Sequence, residues 1–395
     1  MQYRYPEDPV SLLGFGCMRF PRKNGVFDRD ETEKQIMHAI KNGVSYFDTA
    51  YIYRGSEELL GSILEKNRCR DQVKIATKLP HYFVTGPDSF NHYFDIQKKR
   101  LRTGRIDYYL MHMLPDVGIW EKLKAIGAAE WAEKKKASGE IGRLGFSYHG
   151  GTANFKELID SYPWDFCQIQ YNYMDENSQA GRRGLEYAAG KGMPVIVMEP
   201  LRGGLLAGRL PEKAVSVFRK ASPERSPAEW ALRWLFDQPE VSCVLSGMNS
   251  MEMLDENIRT ASESAENELT EKDRLMFEDV KAAINSKMKV GCTGCHYCMP
   301  CPFNVDIPGS FRSCNASYID GYLKGFKEYL MCTSTGARRS NASLCVSCGR
   351  CLPKCPQKIN IPDELKKVSR HFENPAYKAA RAAMHFIQTH KRHGN

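Results

Sequence analysis

From residue 12 to residue 247, short apolar runs alternate with stretches whose apolar residues recur at helical spacing. Eight runs read as buried strands, at residues 12–16, 44–47, 73–79, 106–113, 139–148 (after an opening turn), 166–171, 194–200 and 241–247. The intervening segments read as helices. In residues 29–42, Ile36, Ala39 and Ile40 make one apolar face that Gly43 stops, and in residues 56–67, Ser56 stands at a cap position ahead of Glu57 and Glu58. Eight strands mostly separated by helices complete a (β/α)8 count, the pattern of a parallel TIM barrel. Segments 252–261 and 271–286 read as helices closing it. Residues 318–331 read as a further helix, and residues 363–390 as one or two more. The expected organisation is α/β: a (β/α)8 TIM barrel over residues 1–287, followed by a smaller, mainly helical unit over residues 288–395.

At 395 residues the chain has room for a barrel of about 250 residues and a second unit. No apolar run approaches the roughly 20 residues of a membrane span. The N-terminal segment MQYRYPEDPVS is charged from the outset and lacks an apolar segment, so no signal peptide is expected and the cytoplasm is the expected location. The formal net charge of +9 raises nucleic acid as a partner, yet the basic residues are scattered and no nucleic-acid motif is present. A solvated basic surface is the better reading. Of the 14 cysteines, eight crowd into two clusters near the C-terminus; without an export signal, that distribution points to metal instead of disulfides.

The barrel strands end on chemistry. Run 44–47 leads to Asp48, with Tyr53 in the loop beyond; VKIATK ends on Lys78 and YYLMH on His112. Strand ends of this kind meet at the C-terminal face of a parallel barrel. A phenol is a poor acid at neutral pH, and a nearby ammonium favours its ionised form. Lys78 supplies such a charge, Asp48 holds Lys78, and His112 orients a carbonyl. Tyr53 then serves as general acid for carbonyl reduction and as base for the reverse. In the turn GFGCMRF after the first strand, Gly14 and Gly16 permit close backbone approach, and Met18 and Arg19 follow. Arg19 meets either a phosphate or solvent. Gln168 and Gln170, two apart on the sixth strand, point the same way, and a cofactor amide would satisfy a Gln facing the lumen. Trp120 is either a pocket wall or helix core.

The motifs DTAYIY, IATK, DYYLMH, GFS, QIQYN and the pair Glu256–Asn257 resemble the aldo-keto reductase family over roughly residues 11–257. That resemblance implies Asp48, Tyr53, Lys78 and His112 as the catalytic four. It also implies a nicotinamide whose amide is held by Ser147 and Gln168 and whose ring packs on Met198. Phosphates would lie against loops 201–204 (Leu201, Arg202, Gly203) and 247–250 (Gly247, Asn249), with Gly16, Met18 and Arg19 nearby and the adenine against Glu256 and Asn257. Gly247 and Met253 stand where NADPH-preferring relatives carry basic residues, so NADPH and NADH both stay open. So does flavin mononucleotide at the barrel's phosphate site.

The tail carries CTGCHYCMPC-P (Cys292, Cys295, Cys298, Cys301) and CVSCGRCLPKC-P (Cys345, Cys348, Cys351, Cys355). The second has the C-x2-C-x2-C-x3-C-P spacing of bacterial ferredoxins, and the first is one residue shorter before its last Cys. The continuations CPFNVDIPGSF and CPQKINIPDEL repeat one unit. Two 4Fe-4S clusters are expected, with zinc the competing metal. Crossed ligation, as in two-cluster ferredoxins, would join Cys355 to the first three cysteines and Cys301 to Cys345, Cys348 and Cys351. Cys314 and Cys332 fit neither motif. The function expected is a reductase acting on a small-molecule carbonyl, coupled to the clusters and to an external ferredoxin or other electron carrier. The alternative is a non-catalytic nucleotide-binding electron-transfer or redox-sensing protein.

Overall fold

The computed structural model describes residues 1–4, 9–150, 152–286, 288–292, 294, 298–334, 339–355 and 357–390, without the side chains of 152–153 and 384–390. Cys295 lies outside the described residues. The chain divides into two compact units, Met1–Leu210 with Val215–Phe277, and Pro211–Ala214 with Glu278–Asn395.

The first unit is a closed barrel of eight parallel strands. They are β1 (Leu13–Gly16), β2 (Tyr46–Asp48), β3 (Lys74–Leu79), β4 (Ile106–Met111), β5 (Ile141–Tyr148), β6 (Phe166–Gln170), β7 (Val195–Met198) and β8 (Val241–Ser246). Each pairs with its neighbours in sequence, and β8 closes on β1. Strand side chains alternate between two faces. Tyr46, Ala76, Tyr108, Leu110, Phe166, Ile196, Cys243 and Leu245 form one buried cluster filling the lumen. Two residues further along the same strands come Asp48, Lys78, His112, Gln168 and Met198. The alternation that packs the lumen therefore carries these groups to its C-terminal end. Gly14 belongs to the packed layer: a Cβ there would meet Leu245 at 2.7 Å and Cys243 at 2.8 Å, so its smallness serves packing and not a ligand.

The opposite strand face packs on helices. Tyr109 meets the rings of Phe94 and Trp131 at 5.3 and 5.9 Å. Trp120 is fully buried in helix Val117–Ala125, 4.6 Å from the ring of Trp164, which makes it helix core. The helix starting at Ser56 is capped differently from expectation. Gly55 takes the cap in a left-handed conformation (φ 77), while the Ser56 hydroxyl donates to the Cys17 carbonyl at 2.9 Å.

The second unit is helical: Ile307–Ile319, Tyr322–Ser334, Ile361–Phe372 and Pro375–His390. The single helix expected over residues 318–331 is instead the end of one helix and most of the next. Gly321 (φ +104) breaks the chain between them in a backbone state that other residues resist. The internal repeat is real in three dimensions, because Ile307–Pro308 and Ile361–Pro362 each open a helix with a buried Ile and a Pro in the first turn. Phe311, Tyr329, Leu365, Val368, Phe372 and Tyr377 form the core, with Tyr329 stacked on Phe372 at 4.7 Å. Phe372→Ala is expected to destabilise this unit by about 3–5 kcal/mol. Leu323→Ala, at an 81% exposed position, should stay within about 0.5 kcal/mol; denaturant unfolding of both variants checks the contrast.

Candidate active site

The end of β3 places Lys78 inside the barrel at 1% exposure. Its ammonium donates to Asp48 Oδ1 at 2.7 Å, Asp48 Oδ2 at 2.6 Å and the Thr49 carbonyl at 2.7 Å. Burial pushes the Asp48 carboxyl up, and the Lys78 charge opposes that shift. Tyr53 sits in the turn after β2, its ring centroid 5.4 Å from Lys78 Nζ and 6.2 Å edge-on from the ring of His112. The structure thus brings all four candidates to one place.

The electrostatics differ from the expectation at one point. Burial raises the Tyr53 phenol well above its usual range, and Asp48 adds to the rise. The Lys78 ammonium is itself bound by Asp48, and burial outweighs it at Tyr53. Burial, with Lys78 and two histidines, drives His112 well below its ordinary value, so its imidazole is neutral. Tyr82 overhangs it, the hydroxyl 3.5 Å from His112 Nδ1.

Sequence reasoning missed the support beneath Lys78. Glu57, read as a first-turn helix charge, is buried and accepts from Thr77 Oγ1 at 2.6 Å and Gln97 Nε2 at 2.8 Å. Gln97 also donates to the Lys78 carbonyl at 3.1 Å. Thr77, a polar residue on the helix-facing side of a strand, was the available signal.

On β5 and β6, Ser147 and Gln168 are direct cross-strand partners. Ser147 Oγ accepts from the Met113 amide at 2.8 Å; Gln168 Nε2 meets Met198 Sδ at 3.4 Å, and its buried Oε1 finds no partner among the described residues. Arg19 links the loops after β1, β7 and β8: its guanidinium donates to the Gly203 carbonyl at 2.8 Å, and its stem passes a Cβ position at Gly247 at 3.5 Å. Gly16 abuts the Ser246 carbonyl, and Met18 is exposed. Arg202 pairs with buried Asp175 at 3.2 Å, just after Leu201 and before Gly203. Asn249 and Met253 are exposed around the start of helix Met251–Glu263, Glu256 is half-buried, and buried Asn257 donates to Ser246 Oγ at 2.9 Å.

In the second unit, Cys298, Cys301, Cys345, Cys348 and Cys351 line one cavity of about 260 Å³. Burial pushes the Cys351 thiol up, and Cys345, Cys348 and Cys301 add to it. Cys292 and Cys355 are half-buried against the core. Among the described residues, no three Cys, His, Asp or Glu side chains are close enough to hold one metal ion. Burial raises Cys314 to about 11 and Cys332 to about 12, which leaves both as protonated thiols.

A closed parallel barrel with an ion pair, a phenol and an imidazole at its C-terminal rim, joined to a cysteine-rich helical unit, defines a two-part redox protein. Residues 12–275 match the aldo/keto reductase family and residues 291–365 match the 4Fe-4S dicluster domain. The chain belongs to the aldo/keto reductase family and is an oxidoreductase of that type with a 4Fe-4S domain. It is 26% identical over 303 residues to the uncharacterised oxidoreductase YrpG of Bacillus subtilis, covering 66% of this chain and 90% of that one. It is 25% identical over 280 residues to L-galactose dehydrogenase of Arabidopsis thaliana, covering 64% and 85%. The fold matches an aldo-keto reductase from Bacillus halodurans in its holo form, with TM-score 0.59, 23% identity and coverage of 71% and 96%. Among the described residues no helix is long and apolar enough to cross a membrane.

Lys78→Met should destabilise the barrel by about 3–5 kcal/mol, because it leaves buried Asp48 without its counter-ion and hydrogen-bond donor. Adding Asp48→Asn should restore part of that loss; urea unfolding of both variants tests the coupling.

Proposed function

We propose that the barrel catalyses hydride transfer between a nicotinamide cofactor and a small carbonyl or alcohol substrate, with Tyr53 giving or taking the proton. The observation that carries this reading is the Lys78–Asp48 pair buried beside Tyr53, with His112 on the same rim. Neutral His112 has a single ring N–H. A Tyr82 hydroxyl donating to Nδ1 favours the proton on Nε2, where it would hold a carbonyl oxygen for Tyr53 to protonate. The raised phenol keeps Tyr53 a donor through and beyond the neutral range. Reduction should therefore not decline with pH through loss of the Tyr53 proton. Alcohol oxidation, which needs the phenolate, should gain as pH rises.

The residues around the rim fit a nicotinamide cofactor. Ser147 Oγ accepts from the Met113 amide and keeps its own hydrogen to donate, while Gln168 Oε1 is buried and unpartnered among the described residues. A carboxamide offers the acceptor and the donor that match these two atoms. Met198 lies beside Gln168 for the ring. Leu201, Arg202, Gly203, Gly247 and Asn249, with Gly16, Met18 and Arg19, would frame the phosphates near the N-terminus of helix Met251–Glu263. Met253, Glu256 and Asn257 would border the adenine. When bound, the cofactor supplies or accepts the hydride. Gly247 and Met253 offer no cation, so this reading accommodates NADH as well as NADPH.

In the C-terminal unit, the cavity lined by Cys345, Cys348 and Cys351 also takes in Cys301 and Cys298 from the first motif; Cys301, the residue before Pro302, is assigned to the second motif's 4Fe-4S cluster, the crossed arrangement. Cys292, Cys295, Cys298 and Cys355 would hold the other. The C-x2-C-x2-C-x3-C-P spacing of the second motif favours a cluster over zinc. The clusters would exchange single electrons with an external carrier such as a ferredoxin.

Tyr53→Phe should lower carbonyl turnover by about 10²–10⁴-fold while nucleotide binding, followed by fluorescence, is retained. Undiminished turnover would remove Tyr53 from the chemistry. Cys301→Ser should cost the purified protein one cluster's iron and sulfide; content equal to wild type would sink the crossed assignment.

A further inference from the structure

We propose that the surface around the second cysteine motif is the docking face for a small acidic one-electron carrier protein, an inference that rests on the cluster assigned above to Cys345, Cys348, Cys351 and Cys301. Cys348 is exposed. The cavity that holds it is also lined by Phe303 and Val346, which are 42% and 58% exposed, and by the exposed side chains of Arg350 and Lys354. These groups form an apolar opening with a cationic edge.

The second motif itself is cationic, while Glu373 reaches the turn Ala342–Leu344 that precedes it and accepts there from Ser343. Over residues 340–360 the chain carries Arg350, Lys354 and Lys358 and no Asp or Glu. The next carboxylates, Asp363 and Glu364, are paired with Lys366 at 3.2 Å and Lys367 at 2.6 Å. Among the described residues no carboxylate pairs with Arg350 or Lys354. Thiolates around iron would add negative charge at the centre, so an acidic partner would meet the cations at the rim.

Electron exchange between two proteins needs close approach, and the complexes are small and short-lived. Apolar side chains over the ligand loop expel water and shorten the path, while unpaired cations steer an acidic partner into register. Phe303 and Val346 fit the first role, Arg350 and Lys354 the second. The step is balanced by one electron: the reduced carrier is oxidised by one and the cluster is reduced by one, with no bond made or broken. A cationic edge serving only to offset the thiolate charge is the competing account, and it predicts no dependence on the carrier's charge.

The test is anaerobic stopped-flow mixing of the full-length, cluster-loaded protein with a chemically reduced acidic bacterial ferredoxin, following cluster absorbance. The second-order rate should fall about tenfold or more from low to high salt, and Arg350→Glu with Lys354→Glu should reproduce that fall at low salt. Val346→Asp, which leaves both cations in place, should slow the reaction as well. Iron content, reduction by dithionite and nucleotide-dependent carbonyl turnover should be unchanged in all of them. A rate that is independent of salt in the wild type and unaltered in the variants, with clusters present and reducible by dithionite, overturns the docking face. Absence of a dithionite-reducible cluster in the wild type would overturn the cluster assignment itself, and the docking face with it.

Discussion

An ammonium ion removed from water must be surrounded by oxygen, and Lys78 is the point at which this barrel meets that demand. Both Asp48 oxygens and the Thr49 carbonyl close on it. The pair locks the end of β2 to the end of β3. From the other side of β3, Glu57 and Gln97 hold Thr77 and the Lys78 carbonyl, and Gln97 accepts from Tyr109 on β4 at 2.7 Å. Three neighbouring strand ends are thereby held in one register. Tyr53 rests in the turn that follows, and its high phenol pKa is a consequence of this dry setting.

The rim divides its work by strand. Strands β2 to β4 and their loops bring charge and titratable groups, whereas β5 to β7 bring a hydroxyl, amides and a thioether. The first half can move a proton, and the second can recognise an uncharged polar ring. Arg19 stitches the loops after β1 and β7, with Gly203 and Gly247 leaving room for its side chain. A residue that reads as a ligand for phosphate or solvent is thus also part of the scaffold.

The C-terminal unit meets a different constraint, since its thiols sit on loops that have little regular structure to position them. Helices do it from behind. Glu373 accepts from Tyr329 at 2.7 Å, Asn341 at 2.8 Å, and the amide and hydroxyl of Ser343 at 3.0 and 2.6 Å. This fastens the short turn Ala342–Leu344 that leads directly into Cys345. One carboxylate therefore sets where the second cysteine motif begins.

The order of elements, the closed barrel, the position of each strand and the metal-type spacing of the cysteines were legible in the chain, because each rests on local periodicity or on contiguous motifs. Asp48, Lys78 and His112 were legible for the same reason: each stands at or beside a strand end, and in a parallel barrel strand ends converge. The break at Gly321 was not, because the apolar spacing on either side is continuous and only the glycine's backbone state interrupts it. Nor were the roles of Glu57, Arg19 and Arg202. An exposed-looking charge and a buried acceptor have the same letter, and which it becomes depends on what another strand or loop brings against it. Local sequence determined which groups reach the rim. Tertiary packing decided which were dry, which were already partnered, and so the direction in which Tyr53, His112 and Asp48 are shifted.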